Sequence, residues 1–252
     1  MTSAFQPWVV VPVYDHEHAI GTTLDRLLPH GVPVLLVDDG SVASCAAVLR
    51  ELASRHAGQV SLLRLEQNGG KGAAVIAGMR QAAVLGASHV LQIDADGQHD
   101  TADVPRFLAE AAAHPDAVIN GRPLYDESVP TGRLVGRYAT HVWVWINTLS
   151  LDIADSMCGF RVYPLAATLA LLDREYVGRR MDFDIEVIVR LHWAGLAIRT
   201  VPTRVTYPLD GVSHFRLWRD NARISAMHTR LFFGMLWRAP RLLLRRLRGS
   251  VR

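Results

Sequence analysis

Leu91-Gln92-Ile93-Asp94-Ala95-Asp96-Gly97-Gln98-His99-Asp100 couples an apolar run to two carboxylates one residue apart. Residues 89–93 have the composition of a buried strand. Alternate side chains of an extended chain share a face, so Asp94 and Asp96 point the same way from the strand end. Gly97 permits a tight turn that brings Gln98 and His99 back toward them. Oxygen donors clustered in this way suit a hard divalent cation, Mg2+ or Mn2+, that also binds substrate phosphates. A bare D-x-D serves equally well as an acidic strand-to-helix loop with one Asp capping the helix. The surrounding chain favours the metal-diphosphate site.

Upstream, residues 8–13 are a continuous apolar run closed by Pro12 and Tyr14, as expected of a parallel strand buried on both faces. Residues 16–28 have helical spacing through Ile20, Leu24, Leu27 and Leu28. A second buried strand over 32–37 ends in Asp38-Asp39-Gly40-Ser41, and a helix over 42–56 and a strand over 60–65 follow. Asn68-Gly69-Gly70-Lys71-Gly72 opens a helix reaching about residue 85. Beyond the D-x-D, residues 101–113 read as a helix and 117–120 as a short strand. Strands alternating with helices of this length predict an α/β fold, a Rossmann-like, mostly parallel sheet flanked by helices. The polar residues fall at strand carboxyl ends, where open α/β sheets bind ligands.

The glycine loop lacks the G-x-x-x-x-G-K-[ST] spacing, and G-x-G-x-x-G is absent, so neither phosphate-loop nor dinucleotide fingerprint is present. A glycine-rich helix start carrying one cation still suits a nucleotide or the neighbouring loops, and a plain turn suits it as well. Lys71 is the only lysine in the chain.

With 252 residues, half of them apolar, the chain can bury a sizeable core. Cys45 and Cys158 form neither a disulfide framework nor zinc-ligand spacing, which fits a reducing compartment. No signal peptide is read at the N-terminus, and no apolar run approaches the ~20 residues that span a bilayer. The expectation is a cytoplasmic protein. The net charge of +3 is unevenly spread: from Arg216 onward ten arginines stand against the single acid Asp220. After Pro240 a helical projection puts Arg241, Arg245, Arg248 and Arg252 on one arc and Leu243, Leu244, Leu247 and Val251 on another, with Phe232, Phe233, Leu236 and Trp237 just upstream. That pattern suits a helix lying on an anionic membrane, peripheral on the inner face of the cytoplasmic membrane, better than a nucleic-acid tail. A helix docked on the domain's own core is the other reading. The division expected is 1–215 for the catalytic domain and 216–252 for the basic amphipathic helical segment.

Taken together, Val11-Pro12-Val13-Tyr14, Asp38-Asp39-Gly40-Ser41, Asn68-Gly69-Gly70-Lys71-Gly72, Asp94 to His99, Asp155-Ser156-Met157-Cys158-Gly159-Phe160-Arg161 and Asp182-Phe183-Asp184-Ile185-Glu186 resemble the family 2 glycosyltransferases of GT-A fold. Within that family they are most similar to the polyprenyl-phosphate mannose or glucose synthases, over about residues 8–215. The resemblance implies that Pro12, Tyr14 and Asp39 line the nucleoside pocket, with Lys71 on the donor side. It places Asp94 near ribose and metal, and Asp96 with Gln98 on a Mg2+ or Mn2+ ion at the donor diphosphate. Arg122, Arg133 and Arg137 fall where the family places phosphate-binding arginines.

The chain departs from the family in two places. Asp15-His16 stands where Asn-Glu is usual. Pro208-Leu209-Asp210-Gly211-Val212-Ser213-His214 replaces R-x-x-G-x-S-K, which leaves Ser213, His214 and Arg216 as acceptor-side candidates. The implied reaction is inverting transfer from a UDP- or GDP-sugar to a membrane lipid, foremost polyprenyl phosphate. A lipid phosphate is already ionised and needs no base; a lipid hydroxyl needs one, for which Asp155, Asp182, Asp184 and Glu186 are the candidates. A sugar-nucleotide pyrophosphorylase would carry a glycine-rich basic loop where Tyr14-Asp15-His16 stands, and a non-catalytic nucleotide-binding protein would bind no metal at the acidic pair.

Overall fold

A computed structural model describes residues 4–125, 131–206 and 217–249. The valine-rich run becomes β1 (Pro7–Val13), followed by α1 (Glu17–Leu27), β2 (Val34–Asp38), α2 (Ala43–Arg55), β3 (Val60–Arg64), α3 (Lys71–Val84) and β4 (His89–Gln92). α4 (Val104–Ala113), β5 (Val118–Tyr125), α5 (Thr131–Thr148), β6 (Arg161–Pro164), α6 (Leu165–Leu172), α7 (Phe183–Ala194), β7 (Ile198–Val205) and α8 (Leu217–Gly249) complete the described chain. The strands form one seven-stranded sheet in the order β3-β2-β1-β4-β6-β5-β7. All run parallel except β6, which pairs antiparallel with both β4 and β5.

β1, β2 and β4 are buried on both faces, which is why they read as unbroken apolar runs. One face of the sheet packs on Ile20, Leu24 and Leu49 from α1 and α2, with Phe107 from α4. The other packs on Val75 and Met79 of α3 and on Phe183 and Val187 of α7. Chain order along the sheet reverses between β1 and β4, which makes this the switch point where such sheets open a crevice. β1 pairs with β4 only from Pro7 to Val10, so Pro12, which has no N–H, lies past the end of that ladder.

The sheet's second half departs from the sequence reading. β5 runs to Tyr125 rather than Asn120, because β7 continues the ladder residue for residue from Val118↔Ile198 to Tyr125↔Val205. β7 left no periodic signal: it is an edge strand that carries Pro202 and exposed Arg199 and Arg204, as edges do. β6 has only four residues and begins with a charged one, the fully buried Arg161.

The basic C-terminal segment is one 33-residue helix, with Pro240 inside it. Met227, Leu231, Met235 and Leu242 bury against Val144 of α5 and Ile185, Ile188, Val189 and Trp193 of α7. Past Pro240, Leu242 therefore faces the protein, and Arg245 donates to the carbonyls of His192 and Trp193 at the end of α7. Leu243, Leu244 and Leu247 remain exposed, so the helix docks on the core along one face and presents an apolar second face. Among the described residues no helix is long and apolar enough to cross a membrane.

Candidate active site

The loops after β1, β2, β3 and β4 meet at the switch point. After β1, Tyr14 is half-buried and Asp15 takes φ 50°, a left-handed conformation that Asn and Asp tolerate better than most residues. Asp15 is tied to the next loop: its N–H donates to Ser41 Oγ (3.1 Å) and its carboxylate accepts from the Val42 amide (2.9 Å). The Asn-to-Asp departure thus keeps the backbone requirement of the position. Asp38 accepts from Ser41 N–H (2.8 Å) and from Arg64.

Asp39 binds the glycine loop, accepting from Gly69 N (2.8 Å), Gly70 N (2.8 Å) and Asn68 Nδ2 (3.0 Å). Burial raises its carboxyl above the usual range, against those amides and Arg180. Gly70 sits at φ 97°, and a Cβ there would lie 2.4 Å from the Arg180 side chain, so glycine is needed for both reasons. The loop hands the chain to α3, whose first residue is Lys71.

Lys71 reaches the centre of the site. Its ammonium lies 2.7 Å from Asp94 Oδ1 and 2.7 Å from Asp184 Oδ2, and is largely buried. Burial works against its charge, but Asp184 and Asp94 outweigh it and hold the amine protonated well above its ordinary range. Burial likewise opposes ionisation of Asp94, and Lys71 with His99 overcomes it, so Asp94 is held a carboxylate. Asp94 fits only because residue 159 is glycine: a Cβ there would lie 2.3 Å from Asp94 Oδ2. This is a packing reason for the Cys158-Gly159-Phe160 part of the motif.

Asp96 differs from its neighbour. Burial and the Asp94 charge raise its carboxyl. Its Oδ1 accepts from the Gln98 amide (3.1 Å), and among the described residues no cation pairs with it. The turn is pinned to β7 through Thr206 N–H on Gln98 O and a bridge between His99 and Val205. His99 Nε2 approaches Asp94 Oδ2 at 3.7 Å, and among the described residues its buried Nδ1 has no hydrogen-bond partner.

Among the described residues no three His, Cys, Asp or Glu side chains form a ready-made metal cage. The acidic pair fits a divalent ion that takes most of its oxygens from a diphosphate and water. Lys71 already answers Asp94, so the charge left for a metal is that of Asp96.

The four candidate acids separate into distinct environments. Asp155 is enclosed: Arg137 binds it in bidentate fashion (2.6 and 2.7 Å), His141 lies at 3.2 Å, and the amides of Met157 and Cys158 donate to it. Burial opposes its ionisation, but His141 and Arg137 hold it at about 2. Two residues read separately, an acid and a phosphate-side arginine, are thus each other's partners. Glu186 is fully buried and bound by Arg190, Arg230 and the Gly178 amide. Asp184 accepts from Gln92 Nε2 (2.9 Å) and pairs with Lys71. Asp182, just ahead of α7, accepts from the Arg180 amide through Oδ1, and among the described residues its Oδ2 makes no hydrogen bond.

Arg122 is exposed on β5. Arg133 lies in α5 with its side chain outside the described residues, as are Ser213, His214 and Arg216 altogether.

The sequence reading missed Arg161, whose buried guanidinium binds Asn120 Oδ1 (2.8 Å) and the carbonyls of Asp184 (2.9 Å), Ser156 and Cys158. It ties β5, β6 and α7 together beneath Asp184. Its only signal was its place in the quoted Gly159-Phe160-Arg161 motif.

Comparison with known proteins agrees with this geometry. The undecaprenyl-phosphate mannosyltransferase of Micrococcus luteus is 29% identical over 204 residues, covering 77% of this chain and 80% of its own. The UDP-N-acetylglucosamine–dolichyl-phosphate N-acetylglucosaminyltransferase of Methanococcus voltae is 24% identical over 216 residues, 79% of this chain and 85% of its own. The structure of glucosyl-3-phosphoglycerate synthase from Mycobacterium tuberculosis, in complex with Mn2+ and UDP-glucose, superposes with a TM-score of 0.61 at 18% identity, covering 93% of this chain and 79% of that one. It shares the GT-A fold. The family description "Glycosyl transferase family 2" matches residues 8–179, and with its acidic pair at the β1/β4 switch point the chain belongs to that family.

Proposed function

We propose that this glycosyltransferase moves a sugar, with inversion, from a UDP- or GDP-sugar to a membrane-lipid acceptor, foremost a polyprenyl phosphate. The observation that carries the reading is the apolar face of α5 and α8, two helices packed on α7, whose N-terminal Asp184 meets Lys71. Trp218 and Trp237 are each 86% exposed, Phe233 65% and Tyr138 62%, and Trp143 and Leu244 are exposed as well. Isolated exposed apolar residues are ordinary, but this many large apolar side chains exposed on two packed helices, with Arg219 and Arg241 exposed on α8, suit the interface of an anionic bilayer. Both curated relatives above are named for transfer to polyprenyl-type phosphates, which agrees with this.

Pro12, Tyr14 and Asp39 line the donor's nucleoside pocket, and Lys71 fixes Asp94 beside it. Asp96, assisted by Gln98, holds Mg2+ or Mn2+, which when bound neutralises charge on the leaving diphosphate. An ionised acceptor oxygen attacks the anomeric carbon as the bond to the diphosphate breaks, and no protein base is needed. Arg122, with Arg133 and the segment holding Ser213, His214 and Arg216, contributes acceptor-side contacts. The enzyme works peripherally on the inner face of the cytoplasmic membrane.

A second reading, transfer to a lipid hydroxyl, is favoured by the open Oδ2 of Asp182, the acid of the four most available as a base. Radiolabelled donor incubated with polyprenyl phosphate separates the two. Label in a mild-acid-labile lipid phosphate supports the first, and label only in an acid-stable lipid supports the second.

A further inference from the structure

Beside the site, on the far side of the glycine loop, a cleft of about 370 Å3 is lined by Gly69, Tyr176, Arg179, Arg180, Arg223 and Arg230, with Ala226 and one carboxylate, Asp182. Its cations come from two separate parts of the chain and are set in place. Arg230 is fixed by Glu186 (2.6 Å) and lies over the Tyr176 ring at 5.0 Å. Arg180 donates to Asn68 Oδ1 (3.0 Å), and Arg223 pairs with Asp220 (3.0 Å). Arg179 is exposed, and among the described residues its guanidinium has no partner. Among the described residues no carboxylate forms a salt bridge with Arg179 or Arg180, so the cleft holds positive charge beyond what Asp182 offsets.

The cleft's position on α8 narrows what would occupy it. At 3.6 residues per turn, Arg223, Ala226, Arg230, Phe233 and Trp237 follow one another along one side of the helix. The arginine end opens on the cleft, and the aromatic end belongs to the exposed apolar face. A ligand that is a phosphate at one end and hydrocarbon at the other matches both, and guanidinium forks suit phosphate oxygens.

We propose that this cleft receives the phosphate head of a membrane lipid and seats α8 on the bilayer beside the active site. The proposal rests on the membrane reading above. The carrier of that phosphate is a bilayer phospholipid, the acceptor's contacts being placed above at Arg122 and Arg133.

The test is sedimentation of the full chain with phosphatidylcholine vesicles containing either phosphatidylglycerol or polyprenyl phosphate, with no sugar donor present. UDP affinity is measured alongside by calorimetry. Arg179→Gln touches no internal partner and serves as the main variant, with Arg179→Gln/Arg223→Gln as the second. Partition is expected to weaken about fivefold in the single and about thirtyfold in the double variant, and Arg179→Lys should restore most of it. A loss on the phosphatidylglycerol vesicles supports the proposal, and a loss confined to the polyprenyl phosphate vesicles would overturn it by giving the cleft to the acceptor. Wild-type partition in both variants would overturn it. So would a loss of UDP affinity with vesicle binding intact, which would give the cleft to the donor. Because no donor is present, a failure of sugar transfer to polyprenyl phosphate would refute the function proposed above without altering this result.

Discussion

Replacing Lys71 by methionine keeps the length of the side chain and removes the one cation shared by Asp94 and Asp184, each 2.7 Å from its ammonium. The two carboxylates would then face each other in a largely buried pocket, with His99, the Gln92 amide and the charge of Arg161 left near them. Stranding a buried charge costs about 3–5 kcal/mol. In a chain of this size 1 kcal/mol moves the thermal midpoint by roughly 2–4 °C, so Lys71→Met is expected to melt about 10 °C lower. Thermal and urea unfolding followed by circular dichroism measures this, and Lys71→Met/Asp184→Asn should recover part of the loss by removing one of the two stranded charges. Because Lys71 is the only lysine, acylation followed by peptide mass analysis reports on it alone. In the folded protein it should stay unlabelled while the amino terminus reacts, since Asp184 and Asp94 keep it protonated. A Lys71→Met protein melting within 2 °C of wild type, or rapid acylation of Lys71 in the native state, would refute the ion-triad argument.

Asp96→Asn should abolish metal-dependent transfer while leaving the melting curve in place, because Asp96 has no salt-bridge partner among the described residues; normal transfer would sink its metal assignment. His228 is buried, its Nε2 has no hydrogen-bond partner among the described residues, and burial pushes it down to about 4. Its neutral form is the folded form, so stability is complete above pH 6.5. As pH falls from there toward 4 up to about 3 kcal/mol is lost, and His228→Phe should flatten that window in urea titrations. Phe233→Glu/Trp237→Glu should reduce sedimentation with anionic vesicles at least tenfold without lowering the melting point, both side chains being exposed. Leu231→Ala, by contrast, empties a buried position between α5, α7 and α8 and should cost about 2–5 kcal/mol in urea unfolding.

The first half of the sheet was legible because its physics is local. Strands buried on both faces leave apolar runs, and the carboxyl-end residues Asp39, Asp94 and Asp96 interrupt them visibly. The second half depends on distant partners. β7 exists because β5 offers it an edge, and β6 is anchored by Arg161, which a reading of apolar runs takes for a loop residue. The acids of the later motifs illustrate the same limit. Spacing put Asp182 and Glu186 on one helical face, whereas partners far along the chain decide the surroundings of these acids: Arg230 closes over Glu186, and Lys71 joins Asp184 to Asp94. Likewise the helical projection after Pro240 set arginines on one arc and leucines on another, with Val251 and Arg252 outside the described residues, but which side faces the protein is set by Leu242 and by Arg245 at the end of α7. Projection alone held no information on either.

The central claim is sugar transfer to a lipid phosphate at the Asp94/Asp96 site. Its most direct test is nucleotide release by the purified protein with Mn2+ or Mg2+ and a panel of UDP- and GDP-sugars, with and without polyprenyl phosphate, beside Asp96→Asn. Release from one donor that requires polyprenyl phosphate and disappears in the variant is expected. Release that ignores polyprenyl phosphate, or that persists in a well-folded Asp96→Asn protein, would contradict it.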